Sequence, residues 1–113
     1  MIELKEIDKR INNKNLQVLF VTLDPDRDTQ EVLKDYLASF NEAFIGLTGN
    51  IEDIEKMARQ YKIFRLKVEE GNSYTIDHSS AIYLVDKEGE VRLRYPYGFK
   101  IEGIVDDIKK LIE

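Results

Sequence analysis

The sequence predicts a single α/β domain, and three features predict it. Residues 16–23, LQVLFVTL, form an apolar run without alternation, the pattern of a strand covered on both faces in a parallel sheet. Segments 29–40, 51–61 and 101–112 carry apolar residues at helical spacing. Between the last two helices, short runs broken by EEGNS and DKEG read as antiparallel hairpins. A chain of 113 residues suits one domain spanning 1–113, able to bury about two-thirds of its unfolded surface.

The elements follow in order. Leu4, Ile7 and Ile11 mark one face of a first helix, which ends at Asn12-Asn13, where side chains compete for backbone hydrogen bonds. The strand at 16–23 comes next. Pro25 sets a turn, and Asp28 with Glu31 forms a D-x-x-E pattern that places the cap of a second helix at Asp28. The helix stripe is Val32, Leu33, Tyr36, Leu37 and Phe40. AFIGL is a short strand. Asn50 caps a third helix with the stripe Ile51, Ile54, Met57, Ala58 and Tyr61, in which Met57 reads as core filler rather than a metal ligand. Residues 63–68 and the YTI segment form an exposed hairpin, and AIYLVD, the DKEG turn and EVRLRY form a second. Ile101, Ile104, Val105, Ile108, Leu111 and Ile112 line a terminal helix. Tyr95, Tyr97 and Phe99, in RYPYGF, read as core and corner residues, with an exposed aromatic patch as the alternative.

Charged residues make up 35% of the chain and its net charge is −5, with acids and bases interleaved. No basic stripe is available to neutralise phosphates, which argues against nucleic acid as a partner. No apolar stretch reaches the roughly 18–20 residues of a membrane span, and residues 1–15 lack the apolar region of a signal peptide. As given, the chain would stay in the cytoplasm.

The candidate functional residue is His78, the chain's one histidine, in YTIDHSSAIYLVD. Directly before AIYLVD, it stands at the mouth of the AIYLVD–EVRLRY hairpin, well placed to meet a ligand. The structural alternative is that Asp77 accepts a hydrogen bond from the imidazole and fixes a turn.

Four strings around His78 resemble the Sco/SenC family, thioredoxin-like copper proteins of cytochrome c oxidase assembly. VLFVTLDPDRDTQEVLKDYL at 18–37 is similar to the family's strand, DPxRDT turn and helix, and FIGLTGNIEDIEKMARQY at 44–61 to its GLTG segment and next helix. YTIDHSSAIYLVDKEG at 74–89 is similar to its histidine segment, and RYPYG at 94–98 to its closing strand. The resemblance implies a thioredoxin-like fold, βαβ then ββα, with an inserted helix and hairpin. It implies copper as the metal, held by a histidine matching His78 and by the two thiolates of a CxxxCP motif. It also implies a cytochrome c oxidase subunit or another copper chaperone as partner, and an exported, often membrane-anchored, location.

The chain departs from the family in having no cysteine. IELKEIDKRI looks like the family's first helix already under way, so the chain reads as N-terminally truncated, without the first core strand and the CxxxCP motif. In the family that strand lies between those matching 17–23 and 81–86. The two edges are therefore expected to pair directly, or to take a strand from another copy and form a homo-oligomer. One histidine without thiolates holds copper weakly or not at all, so this form is expected to be no enzyme and an inactive copper chaperone or thiol-servicing domain.

Two other classes compete with that reading. LFVTLDPDRDT, an apolar strand ending in DxDxD, is also compatible with a magnesium-dependent aspartyl-phosphate phosphatase, with Asp24 as nucleophile, Asp26 as general acid and Asp28 beside them. Against it, no second acidic pair or phosphate-clamping lysine follows in order, and a turn plus a helix cap explains the motif more economically. A structural or protein-interaction module needs no metal at all. A thiol oxidoreductase needs a low-pKa thiolate and is excluded for this cysteine-free chain.

Overall fold

The computed structural model describes residues 2–79, 81–96 and 98–112. Ten elements follow in order: α1 (Ile2–Ile11), β1 (Leu19–Val21), α2 (Gln30–Ala38), β2 (Ile45–Leu47), α3 (Ile51–Gln60), β3 (Arg65–Glu70), β4 (Ser73–His78), β5 (Ala81–Val85), β6 (Val91–Pro96) and α4 (Ile101–Ile112). This is the expected α/β order. The contacts divide it into two units, one of residues 19–79 and one of residues 1–18 with 80–113. The ladders are parallel β1–β2 and antiparallel β3–β4 and β5–β6.

In the first unit, α2 lies on β2 because Gly46 lets it. A Cβ at Gly46 would stand 2.8 Å from the Leu33 Cβ and 3.0 Å from a Leu37 methyl. Leu33 and Leu37 are accordingly buried, as are Phe44 and, on α3, Ile54 and Ala58. Gln30 adds a polar tie, its side-chain amide donating to the Gly46 carbonyl at 3.0 Å.

Two expectations fail here. The strand in 16–23 is three residues long, and Leu19 and Val21 are 52% and 37% exposed, so β1 is not covered on both faces. Phe20 and Gly46 share a register position and face α2, while Leu19 and Val21 stand on the opposite face together with exposed Ile45 and Leu47. The second failure is the cap of α2. It is Thr29, whose hydroxyl accepts from the Val32 N–H at 3.3 Å. Asp28 accepts instead from the Thr22 hydroxyl at 2.7 Å. Thr22 is buried and cannot leave its proton unpaired, so Asp28 is occupied and the cap falls to the next residue. Replacing Thr29 with alanine is expected to cost about 1 kcal/mol, measured by urea denaturation.

Asn50 caps α3 as expected, accepting from the Asp53 N–H at 2.8 Å. Met57 is half-buried on the stripe of α3.

In the second unit, α1 and α4 share a core with the β5–β6 hairpin. Ile7, Tyr95, Ile104, Val105 and Ile108 are its buried centre, flanked by Leu4, Ile11, Ile82 and Leu84. Tyr95 is thus a core residue, Phe99 is exposed with its ring 5.1 Å from that of Tyr95, and Tyr97 lies outside the described residues. The DKEG turn closes on Asp86, whose carboxylate accepts from the N–H groups of Glu88 at 3.0 Å and Glu90 at 2.9 Å. The Glu90 N–H, above all, holds the Asp86 carboxyl below the usual carboxylate range. A carboxyl depressed on folding stabilises the fold above its ordinary pKa of about 3.9, and that stability is lost as pH falls through the depressed value. Asp86→Asn, which keeps one acceptor but no charge, is therefore expected to flatten the acid limb of a stability-against-pH curve.

Candidate metal site

The candidate site is built on one face of the β3–β4 hairpin. Strict alternation in YTIDH puts Tyr74, Ile76 and His78 on one side, and the register sets Arg65 opposite His78 and Lys67 opposite Ile76. This face is tied to the loop after β1. The Arg65 guanidinium donates to the Leu23 carbonyl at 2.7 Å. Tyr74 donates its hydroxyl to Asp24 at 2.8 Å, and Arg27 donates to the Tyr74 carbonyl at 2.6 Å while its guanidinium lies 3.8 Å from the centre of the Tyr74 ring. Partial burial and the Asp24 carboxylate both push the Tyr74 phenol up from its ordinary value.

His78 is the last residue of β4 and is exposed. The next residue is pinned, because the Ser79 N–H donates to the Phe64 carbonyl at 3.0 Å and the Ser79 hydroxyl accepts from the Phe64 N–H at 2.9 Å. The imidazole Nδ1 stands 3.0 Å from the Ser79 carbonyl. A carbonyl can only accept, so Nδ1 is the donor and Nε2 of the neutral ring keeps its lone pair free. That is the tautomer a metal ion needs. The acceptor is therefore Ser79 rather than Asp77, the partner the sequence offered.

One imidazole is one ligand. Among the described residues no group of three His, Cys, Asp or Glu side chains is arranged to hold a metal ion, and the donors present do not by themselves make up a copper site. The DPDRDT carboxylates do not converge either. Asp24 takes the Tyr74 hydroxyl and lies 3.6 Å from Arg27, Asp28 takes the Thr22 hydroxyl, and Asp26 is exposed. They serve a turn, a hairpin anchor and a buried hydroxyl, and this arrangement speaks against a magnesium-dependent phosphatase. The supporting roles of Arg65, Tyr74 and Ser79 were not read from the sequence, and His78, expected at the mouth of the AIYLVD–EVRLRY hairpin, instead ends β4 of the preceding hairpin, where it pairs with Arg65.

Comparison with known proteins puts this geometry in context. The family described as SCO1/SenC matches residues 1–113. A SCO2-like protein of Rickettsia prowazekii is 41% identical over 100 residues, which are 84% of this chain and 52% of that protein. The mitochondrial SCO2 protein of Saccharomyces cerevisiae is 39% identical over 90 residues, 77% of this chain and 30% of its own length. The chain spans about half the length of the Rickettsia relatives it matches. Among solved structures, Arabidopsis thaliana ScoI with copper bound superposes with a TM-score of 0.86 at 32% identity, over 98% of this chain and 71% of that one. Yeast Sco1 with copper bound gives 0.81 at 31% identity, over 97% and 64%. The fold is therefore the thioredoxin-like one of these proteins, and relatives of this chain carry copper. With its DPDRDT turn, GLTG segment and hairpin-borne histidine in the family's order, the chain belongs to the SCO1/SenC family.

Proposed function

We propose that residues 1–113 act as one Sco-type domain, the histidine-bearing part of a copper chaperone or thiol-servicing protein for the copper centre of cytochrome c oxidase, and that His78 is its copper ligand. The observation that carries this reading is the His78 ring, exposed at a pinned strand end with Nδ1 committed to the Ser79 carbonyl and Nε2 free. The protein is not an enzyme in this reading. Its partners in this reading are an oxidase subunit or another copper chaperone, and its place the exported side of a membrane; the relatives include a mitochondrial protein and a Bacillus anthracis lipoprotein. No described helix is long and apolar enough to cross a membrane.

Soft thiolates dominate Cu(I) affinity, and this chain has no cysteine. It is therefore expected to bind Cu(I) weakly against a competing chelator, and to show with Cu(II) a nitrogen-coupled spectrum that disappears in His78→Ala. A spectrum unchanged by that substitution would remove His78 from the site. Tight stoichiometric Cu(I) binding that His78→Ala abolishes would show that other side chains complete it.

The interaction-module reading has one observation in its favour, the exposed apolar residues of the β1–β2 ribbon. A homo-oligomer through unpaired strand edges belongs with it.

A further inference from the structure

We propose that the outer face of the β3–β4 hairpin is a docking surface for a partner protein whose contact patch is apolar and rimmed by lysine or arginine. This goes beyond the copper reading and stands whether or not His78 takes a metal.

The ladder sorts the hairpin's side chains onto two faces. Arg65 and Lys67 share a side with Tyr74 and His78, and this inner face is the one bonded to the loop after β1, through Arg65 and Tyr74. Leu66, Val68 and Glu70 stand on the outer face with Thr75 and Asp77. Phe64, one residue before β3, continues that alternation and is paired with Ser79. Phe64 and Leu66 are 57% and 52% exposed, Val68 is half-buried, and no residue of β3 or β4 is buried. A single exposed apolar side chain is ordinary, but neighbouring ones on one face mark a contact site. A two-stranded hairpin is marginal by itself in water. An apolar row left in water therefore adds nothing to it, and the row contributes only when something covers it.

Charge says what covers it. Both cations of the hairpin, Arg65 and Lys67, lie on the inner face, where Lys67 also pairs with Glu69 at 3.8 Å. The charges of the outer face are the carboxylates of Asp77, directly opposite Leu66, and Glu70, at the far end of the row. Neither carboxylate has a hydrogen bond or ion pair among the described residues. An apolar row flanked by unpaired anions complements an apolar patch with cations at its edge. A second copy of this face would set like charges against each other, which interfaces avoid. An anionic lipid surface would repel it for the same reason. The chain's net charge of −5 adds long-range attraction for a basic partner.

The probe is a short capped peptide of alternating leucine and lysine, titrated into the isotope-labelled whole chain without metal and followed by amide NMR shifts. The shifts are expected to centre on residues 64–68 and 75–77. Binding is expected to weaken roughly tenfold in Glu70→Gln with Asp77→Asn, the scale of two exposed ion pairs. Phe64→Ser with Leu66→Ser is expected to abolish it. Both side chains are exposed, so the fold should be retained, as circular dichroism will report. Val32→Ser with Tyr36→Ser, at exposed apolar positions of α2, should leave binding unchanged. The proposal is overturned if a serine–lysine peptide of equal charge binds as well, which reduces the surface to charge, or if a leucine–glutamate peptide does, which removes the charge selection. Shifts that survive Phe64→Ser with Leu66→Ser also overturn it, as does a sedimenting dimer lost in that same variant. Copper binding by His78 has no bearing on these outcomes, so the two readings fail separately.

Discussion

Truncating Tyr95 to alanine is expected to destabilise the protein by about 3–5 kcal/mol, a large part of a small domain's stability. Only 3% of the residue is exposed, and it sits among Ile7, Ile104, Val105 and Ile108 where α1, α4 and the β5–β6 hairpin meet. Its hydroxyl donates to Asp107 at 2.7 Å. Tyr95→Phe separates ring from hydroxyl and should cost about 1–3 kcal/mol, because it leaves that carboxylate without its donor. The two variants also differ in alkali. Burial, reinforced by Asp107, pushes the Tyr95 phenol well above its ordinary value. The unfolded chain ionises near pH 10 while the folded one stays neutral, so this contribution is complete below about pH 10 and is lost as pH climbs beyond it. Guanidinium denaturation at neutral and alkaline pH should show a falling limb that Tyr95→Phe reduces. A Tyr95→Ala variant as stable as the parent would contradict the buried placement.

The second large effect belongs to Gly46. Any side chain there must displace Leu33, whose Cβ would stand 2.8 Å away, and Leu37 beside it. Gly46→Val is expected to cost about 1–3 kcal/mol or more through overpacking, even though valine favours strands. The cause can be isolated by a double-mutant cycle. Leu33→Ala alone opens a cavity and should cost about 2–5 kcal/mol, but in the Gly46→Val background its cost should shrink, because the new methyls occupy the space. Strict additivity of the two substitutions would show that α2 does not rest on β2 at this point.

The parts legible in the sequence are those whose causes lie within a few residues. The stripes of α3 and α4, the Asn50 cap, the β3–β4 hairpin and the Asp86 turn each depend on a short-range period or a side chain bonding two or three residues away. The family strings run in order along the chain, so fold class and membership were legible too. The tertiary structure decided what depends on residues far apart. The sequence placed the α2 cap at Asp28, and the fold moved it to Thr29 because Thr22, across the turn, claims the Asp28 carboxylate. The apolar run at 16–23 could not reveal that Leu19 and Val21 would stand exposed, because composition fixes what a strand could bury and only its neighbours fix what it does bury. For His78 the sequence determined its presence, and the ladder with β3 decided its place at the end of β4. Its ring tautomer was set by the Ser79 carbonyl and its position by the Arg65 and Tyr74 links to the loop after β1. The Arg65 and Tyr74 bonds join residues more than forty positions apart, and no local pattern encodes them.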